Sequence, residues 1–191
     1  MRYLTRSVIP AFKYYFWNSF FSYSPFFFLR KLYLKYILKI KIGKDSYVGM
    51  ACFIVGNLIE IGNNTVVNRG CYLDGRVALK IGNNVNISNY TYFQTLTHDP
   101  QSPKFECILE PVTVEDNVWI GAKAIILTGV KIKEGAVIGA GAIVTKDIPK
   151  YSIAVGVPAK VIKKRTKKIN YKTRFFPLLD SGIQWMENSS L

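Results

Sequence analysis

The chain has few of the residues on which metal sites and disulfide frameworks depend. Its 191 residues include one histidine, His98, and three cysteines, none of them in a Cys-x-x-Cys pair. A zinc ribbon is therefore excluded, and the odd number and irregular spacing of the cysteines indicate a reducing compartment rather than a disulfide-bonded secreted protein. A zinc centre with three histidine ligands is excluded too, so we expect no metal site.

Acidic residues are also scarce. Twelve Asp and Glu residues stand against 26 Lys and Arg residues, which gives a formal net charge of +14. This balance favours an anionic partner, and nucleic acid, anionic lipid and a phosphorylated cofactor all fit it. No RNA- or DNA-binding motif accompanies the charge, so we expect no nucleic acid partner.

No apolar run is long enough to cross a bilayer. The longest stretch without charge, residues 14–29, contains polar residues and Pro25, whereas a spanning helix needs about 20 predominantly apolar residues. A secretory signal is also missing, because Arg2, Arg6 and Lys13 interrupt the start of the chain. We therefore expect a cytoplasmic protein.

Residues 1–41 are rich in aromatic and basic side chains, and we predict a helical extension there. After Pro25 one helical face is apolar and another carries lysines at i, i+4 spacing; the two sets are Leu29, Leu32, Tyr33, Tyr36 and Ile37, and Lys31, Lys35 and Lys39. Two interpretations stay open. The helix packs on its own domain or on a neighbouring subunit, or residues 1–40 lie on the anionic inner face of the cytoplasmic membrane.

From Ile42 onward the sequence repeats every six residues. Hexads begin at Ile42, Val48, Ile61, Val67, Ile81 and Ile87, and five more follow without interruption from Ile120, Ile126, Ile132, Ile138 and Val144. A short strand with a turn every six residues points the aliphatic side chain inward each time, so stacked coils bury a continuous column. The period predicts an all-β protein, a parallel β-helix, with Cys52 and Cys71 at small interior positions.

The repeat breaks after Phe93 and returns near Val114, which leaves a loop at about residues 97–111. Pro100 and Pro103 support a loop there, and an excursion of this length in a compact domain is often functional. His98 lies at its start. Imidazole is well suited to take a proton near pH 7, so His98 is the candidate general base.

The ordered hexads, with this loop upstream, resemble the hexapeptide-repeat acyltransferases, in particular the sugar O-acetyltransferase branch of galactoside, maltose, nodulation-type and surface-polysaccharide enzymes. The resemblance covers about residues 42–165 and is most specific in Asn117–Ala122, Ile138–Pro149 and Ala154–Ile162. It implies a left-handed β-helix, a homotrimer with each active site shared between two subunits, acetyl-CoA as acyl donor and a carbohydrate acceptor.

The resemblance also implies roles for individual residues. His98 would take the proton of the acceptor hydroxyl, and Asn68 would help to bind the acceptor. The positions implied to bind acetyl-CoA are Trp119, Ala122, Ala140, Thr145, Lys146, Lys160 and Lys163, with the backbone N–H of Ala122 as donor to the thioester oxygen. Structural roles stay open beside these: a turn residue for Asn68, a core or interface residue for Trp119 and a solvated basic tail for the lysines.

The predicted organisation is a helical extension over 1–41, a β-helix over 42–165 and a short C-terminal tail over 166–191. Apolar residues indicate that part of the tail docks on other parts of the protein; they are Phe175, Phe176, Leu178, Leu179 and Trp185. The predicted function is an acetyl-CoA-dependent O-acetyltransferase acting on a sugar or polysaccharide intermediate. N-acetylation of an amino sugar nucleotide and a non-catalytic scaffold remain alternatives. The long extension suggests an acceptor held at the membrane rather than a free disaccharide.

Overall fold

Successive hexads form short strands, and the chain turns a corner after each strand, so that the strands stack into three faces. The computed structural model describes residues 2–173, 175, 179 and 180, with side chains from residue 11 onward. The chain runs through faces A, B and C in that order and repeats the circuit. The predicted parallel β-helix is confirmed.

Faces A and C are purely parallel five-stranded sheets. The strands of face A, in spatial order, are β1 (Lys41–Ile42), β4 (Ile59–Ile61), β7 (Leu79–Ile81), β12 (Val112–Val114) and β15 (Lys131–Ile132). The strands of face C are β3 (Phe53–Gly56), β6 (Tyr72–Gly75), β9 (Tyr92–Phe93), β14 (Ile125–Ile126) and β17 (Ile143–Val144).

Face B has seven strands, of which the last, β19, runs antiparallel to its neighbour. In spatial order they are β2 (Tyr47–Val48), β5 (Val66–Val67), β8 (Asn86–Ile87), β13 (Trp119–Ile120), β16 (Val137–Ile138), β18 (Ser152–Val155) and β19 (Lys160–Lys164). A separate antiparallel hairpin of β10 (Leu96–His98) and β11 (Cys107–Leu109) leaves the prism between faces C and A.

The first residue of each hexad points into the prism. The five uninterrupted hexads begin at residues that are all buried: Ile120, Ile126, Ile132, Ile138 and Val144. Cys52 and Cys71 are fully buried as well, as their positions in the hexads predict. Stacked coils therefore share one apolar column from end to end.

The Ile-Gly pairs that open several hexads have a steric cause. Gly43, Gly62 and Gly82 stack at the corner between faces A and B. A Cβ atom on Gly62 would lie 2.5 Å from the carbonyl oxygen of Gly82. The coils that carry these three glycines approach too closely at this corner for a side chain at their positions.

The N-terminal extension is helical, as predicted. It consists of α1 (Arg2–Ser19), a 3₁₀ turn (Phe21–Tyr23), α2 (Phe27–Leu32) and a π-helical turn (Tyr33–Ile37). Trp17 is fully buried, and its indole N–H donates to the Cys52 carbonyl at 3.0 Å. Asn18 pairs with both backbone groups of Ile54, donating to its oxygen at 3.0 Å and accepting from its nitrogen at 2.9 Å. No helix of the described part of the chain is long and apolar enough to span a membrane.

The prediction that the apolar face after Pro25 packs on its own domain is wrong. Of the apolar set, Leu29, Leu32, Tyr36 and Ile37 are exposed and only Tyr33 packs against the core. The inward face instead carries Arg30, Leu34 and Leu38, which are fully buried.

The reason is the environment of Arg30. Its guanidinium donates to the carboxylate of Asp180 at 2.9 Å and lies over the rings of Phe27 and Tyr47. Residues 30, 34 and 38 follow at i, i+4 spacing and turn inward together with it.

Part of the C-terminal tail returns to the first coils. Thr173 bonds to Asn84 with its backbone N–H at 2.7 Å, Phe175 packs edge-on against Tyr47, and Asp180 lies next to Arg30. Leu179 is half exposed. Three further tail residues expected to dock lie outside the described residues; they are Phe176, Leu178 and Trp185.

Candidate active site

The candidate base lies on the hairpin that interrupts the coils. The structure replaces the predicted irregular loop with two paired strands, in which His98 stands opposite Cys107. The hairpin projects from the prism, and the whole of β11 is exposed. The turn at its tip begins at Asp99, whose side chain accepts a hydrogen bond from the Gln101 N–H at 2.9 Å.

Phe105 determines which nitrogen of the neutral His98 ring carries the proton. The two rings stack at 3.8 Å between centroids with 12° between their planes. Nδ1 of His98 lies 2.9 Å from the Phe105 carbonyl oxygen. A carbonyl can only accept, so Nδ1 carries the proton of the neutral ring and Nε2 keeps a free lone pair. That tautomer is the one required of a general base acting through Nε2.

Three of the predicted site residues stack at the edge between faces B and C. Asn68 follows β5, Ala122 follows β13 and Ala140 follows β16. The Asn68 amide donates to the Ile87 carbonyl at 2.8 Å and to Asn86 Oδ1 at 3.3 Å. These bonds fix the amide within the turn and leave its own oxygen without a protein donor among the described residues.

The backbone at this edge offers free donors. The Ala122 carbonyl accepts the Gly141 N–H at 2.8 Å. The N–H groups of Ala122 and Ala140 make no hydrogen bond within the described residues. Ala122 is half-buried and Ala140 is exposed. A free N–H at a tight turn is the kind of group that stabilises an oxyanion.

The edge between faces C and A carries three more of the predicted residues. The His98 hairpin leaves the prism there, and Thr145 and Lys146 follow β17 at the same edge, both exposed. Face C separates this edge from Asn68 and Ala122. No hydrogen bond joins His98 to Asn68 among the described residues.

The remaining predicted residues lie on and beside face B. Trp119 is 48% exposed on β13, with its indole nitrogen 3.4 Å from Ser88 Oγ. A groove of about 610 Å³ runs along this face between Trp119 and Tyr171. Lys160 and Lys163 are exposed on β19, the first of them opposite Val155.

Two structural features beside His98 were not predicted from the sequence. One is Phe105, which orients His98 and whose pairing depends on a hairpin that the hexad pattern does not reveal. The other is the ion pair of Asp74 and Arg76, one coil before the hairpin at the same edge. The only signal was a charged pair, two residues apart, at the end of a buried strand.

Comparison with known proteins agrees with this architecture. A family model described as the hexapeptide repeat of succinyl-transferase matches residues 111–146. The chain is 40% identical to the galactoside O-acetyltransferase of Escherichia coli over 147 residues, which are 75% of this chain and 70% of that one. The fold and this relative define a hexapeptide-repeat acyltransferase.

Solved structures lead to the same group. A hexapeptide-repeat acetyltransferase of Vibrio cholerae, solved with acetyl-coenzyme A, superposes with a TM-score of 0.73 at 26% identity over 84% of this chain and 87% of that one. A maltose O-acetyltransferase of Clostridium difficile gives a TM-score of 0.74 at 28% identity over 86% and 91%. The chain therefore belongs to the hexapeptide-repeat acetyltransferase family, as its motifs predict.

Several other curated relatives are longer than the matched region. Proteins of Schizosaccharomyces pombe and Staphylococcus aureus are each 42% identical to the chain, but the match spans only 56% and 55% of their own lengths.

Proposed function

We propose that the protein is an acetyl-CoA-dependent O-acetyltransferase that modifies a hydroxyl of a sugar or polysaccharide intermediate, with His98 as general base. The observation that carries the proposal is the contact of His98 Nδ1 with the Phe105 carbonyl at 2.9 Å. It leaves Nε2 free to take a proton, on a hairpin that projects from the prism beside the coils.

The chemistry is a direct transfer. Nε2 takes the proton of the acceptor hydroxyl while its oxygen bonds to the thioester carbonyl carbon. The carbonyl oxygen gains negative charge, which the free N–H of Ala122 stabilises. The carbon–sulfur bond then breaks, and the coenzyme A thiolate takes the proton back from the imidazolium. No serine or cysteine nucleophile is needed, so Cys107 has no covalent role in the transfer.

The acetyl-CoA residues follow from the family. Ala140 would meet the pantetheine arm with its backbone, and Trp119 would lie beside that arm. Thr145 and Lys146 would hold the adenine end. Lys160 and Lys163 would face the 3′-phosphate, since lysines bind phosphates as point charges.

The distribution of these residues supports a homotrimer. Within one protomer face C separates Asn68 and Ala122 from His98, so a site that uses all three needs the edges of two subunits. A prism of this kind meets its neighbour along an edge, which would bring one subunit's hairpin to the other's turns. The trimer therefore completes the site.

The outside of face C carries an aromatic surface that suits a carbohydrate acceptor. Phe53, Tyr72 and Tyr92 stack along the outside of face C at 5.4 and 5.3 Å, nearly parallel. The outward edges of these rings offer apolar contact to a sugar, and the phenol groups of Tyr72 and Tyr92 can bond to its hydroxyls. The stack lies between the two edges that carry the predicted site residues.

The test combines donor binding and turnover. Calorimetry with acetyl-CoA should show saturable binding by both the wild type and His98→Ala. Thiol release with a panel of glycosyl acceptors should occur for the wild type alone. No acetyl-CoA binding by a folded trimer would reject the proposal and favour a scaffold. Turnover only with an amino sugar nucleotide would show N-acetylation instead.

We also propose that the N-terminal extension binds an anionic membrane surface, which would place the enzyme at the inner face of the cytoplasmic membrane. Large exposed apolar residues cover its outer side; they include Phe12, Tyr15, Phe16, Phe20, Tyr23, Phe26, Phe28, Leu32 and Tyr36. Residues 1–44 contain nine Lys or Arg residues and no Asp or Glu. Aromatic rings with lysines and no carboxylates fit a bilayer interface with anionic headgroups.

Vesicle sedimentation tests this surface. Binding should require anionic lipid and should fall with Lys31→Ala/Lys35→Ala and with Phe16→Ser/Phe20→Ser. Lys31 is half-buried and the other three side chains are exposed. Lys131→Ala/Lys150→Ala removes the same charge at the opposite end of the prism, where both lysines are exposed, and should leave binding unchanged. Equal binding to neutral vesicles, or an equal effect of both lysine pairs, would contradict a role for this surface.

A further inference from the structure

A buried carboxylate lies at the base of the hairpin that carries His98. Asp74 is fully buried at the end of β6, and its two oxygens accept four hydrogen bonds. Three come from Arg76, from its backbone N–H at 3.1 Å, Nε at 2.9 Å and Nη2 at 2.8 Å. The fourth comes from the backbone N–H of Thr95 at 3.0 Å.

Thr95 is the residue at which the chain leaves the prism for the hairpin, and it is fully buried. Besides the bond to Asp74, its hydroxyl accepts the Val77 N–H at 3.2 Å, and its carbonyl accepts the N–H of Glu110 at 3.2 Å. Glu110 is where the chain re-enters. Both ends of the hairpin are thus tied to one residue, and that residue is tied to Asp74.

Outside this base, no residue of the hairpin strands β10 and β11 is fully buried. β11 is exposed along its length, and an isolated two-stranded hairpin is marginally stable in water. Its orientation, and with it the position of Nε2 of His98, therefore depends on the base. The Arg76 guanidinium neutralises the Asp74 charge with a two-point bond, which makes a buried carboxylate tolerable there.

We infer that Asp74 and Arg76 are positioning residues for catalysis: they hold the base of the hairpin so that His98 meets the acceptor hydroxyl. The inference rests on the proposed function. Asp74 does not touch the reacting atoms but acts through Thr95. A displacement of about 1 Å at a reacting group can lower the rate on the order of a hundredfold.

The first measurement compares kcat and acetyl-CoA binding in variants of the full-length trimer. We expect Asp74→Ala to lower kcat on the order of a hundredfold, with the Kd for acetyl-CoA within about twofold of wild type. Asp74→Asn, which can keep the bond to Thr95, should lose less. Arg76→Lys should retain more activity than Arg76→Ala, since lysine keeps the charge but not the two-point geometry.

The matched control is Thr65→Val. Thr65 is also fully buried, and its hydroxyl donates to the Gly82 carbonyl at 2.7 Å and accepts the Val85 N–H at 3.1 Å, far from the hairpin. It should lower the melting temperature and leave kcat unchanged. If Asp74→Ala lowered kcat only through a general loss of stability, Thr65→Val would lower kcat as well.

The single histidine provides a second readout. In protein with ring-13C-labelled histidine, only His98 gives a signal. Its resonance should broaden or split in Asp74→Ala as the hairpin samples other orientations, and should stay unchanged in Thr65→Val. Full kcat with an unchanged histidine signal in Asp74→Ala would overturn the inference, and so would a parallel loss of acetyl-CoA binding. Activity in His98→Ala would instead reject the proposed function.

Discussion

The guanidinium of Arg30 donates to the carboxylate of Asp180 at 2.9 Å, and 150 residues of chain separate the two. The side chain of Arg30 is 0% exposed and that of Asp180 is 7% exposed. The same carboxylate accepts the hydroxyl of Tyr47 and the Met50 N–H, so one acidic group joins the tail, α2 and the first coil. Burial and the bond to Asp180 raise the pKa of Tyr47 above its ordinary value, which keeps its hydroxyl a donor.

Removing the carboxylate should therefore be costly. Asp180→Ala leaves a buried guanidinium without its counter-ion, and we expect a loss of about 3–5 kcal/mol in the free energy of unfolding. The Arg30→Met/Asp180→Leu double variant should lose much less, because it leaves no charge behind. Urea titrations at one fixed protein concentration measure both. If the double variant were as unstable as the single one, packing rather than charge would be responsible.

Asn18 offers a test of how the extension covers the first coil. Asn18→Ala should cost about 1–3 kcal/mol, since it leaves both backbone groups of Ile54 without partners. Asn57→Ala, an exposed substitution just after the same strand, is the matched control and should change little. Equal unfolding midpoints for the two variants would show that water replaces Asn18 without loss.

Acid should weaken the base of the hairpin. Burial on its own raises the pKa of Asp74, but hydrogen bonds from Arg76 and Thr95 outweigh it and leave this pKa below its ordinary value. The unfolded chain then binds the proton more readily, so the stabilisation is present above about pH 4 and is lost as pH falls through the folded value. The melting temperature of Asp74→Asn should fall less than that of wild type as pH drops from about 5 to about 3. Parallel curves would contradict this.

The effect of the lysines assigned to acetyl-CoA on its binding can be distinguished from the effect of the protein's net positive charge. Lys146→Ala/Lys160→Ala should weaken acetyl-CoA binding about tenfold, because each exposed contact of a lysine with the anionic cofactor contributes up to about 1 kcal/mol. Added salt should reduce the difference. Lys44→Ala/Lys80→Ala lowers the net charge equally at face A and serves as control. An equal loss in both variants would indicate long-range attraction rather than contact.

The repeat was predictable because it depends on local rules. An inward aliphatic residue and a tight corner recur every six residues, so the positions of Ile120 and Ile138 follow from spacing alone. Gly62 lies where coils nearly touch, and the sequence shows it as an Ile-Gly pair. The family and the helical extension were also correct.

The contacts between distant residues could not be read in the same way. Arg30 looks like one more basic residue among lysines, and nothing in the sequence pairs it with Asp180. The apolar pattern after Pro25 therefore gave the wrong buried face. The stacking of His98 on Phe105 depends on a hairpin register set by the turn between them, which follows no repeat.

The two ends of the prism have a consequence for solubility. Stacked parallel coils have the strand arrangement of an amyloid fibril. An open terminal coil would present unpaired backbone groups with which the strands of another chain could pair. Here Asn18 occupies the edge of β3 at one end, and at the other end β19 runs antiparallel while the Ala159 N–H donates to the Ile143 carbonyl at 2.8 Å. Among the described residues, these contacts close face C at both ends of the prism and face B at the second end, so another copy meets no free parallel edge at those strands.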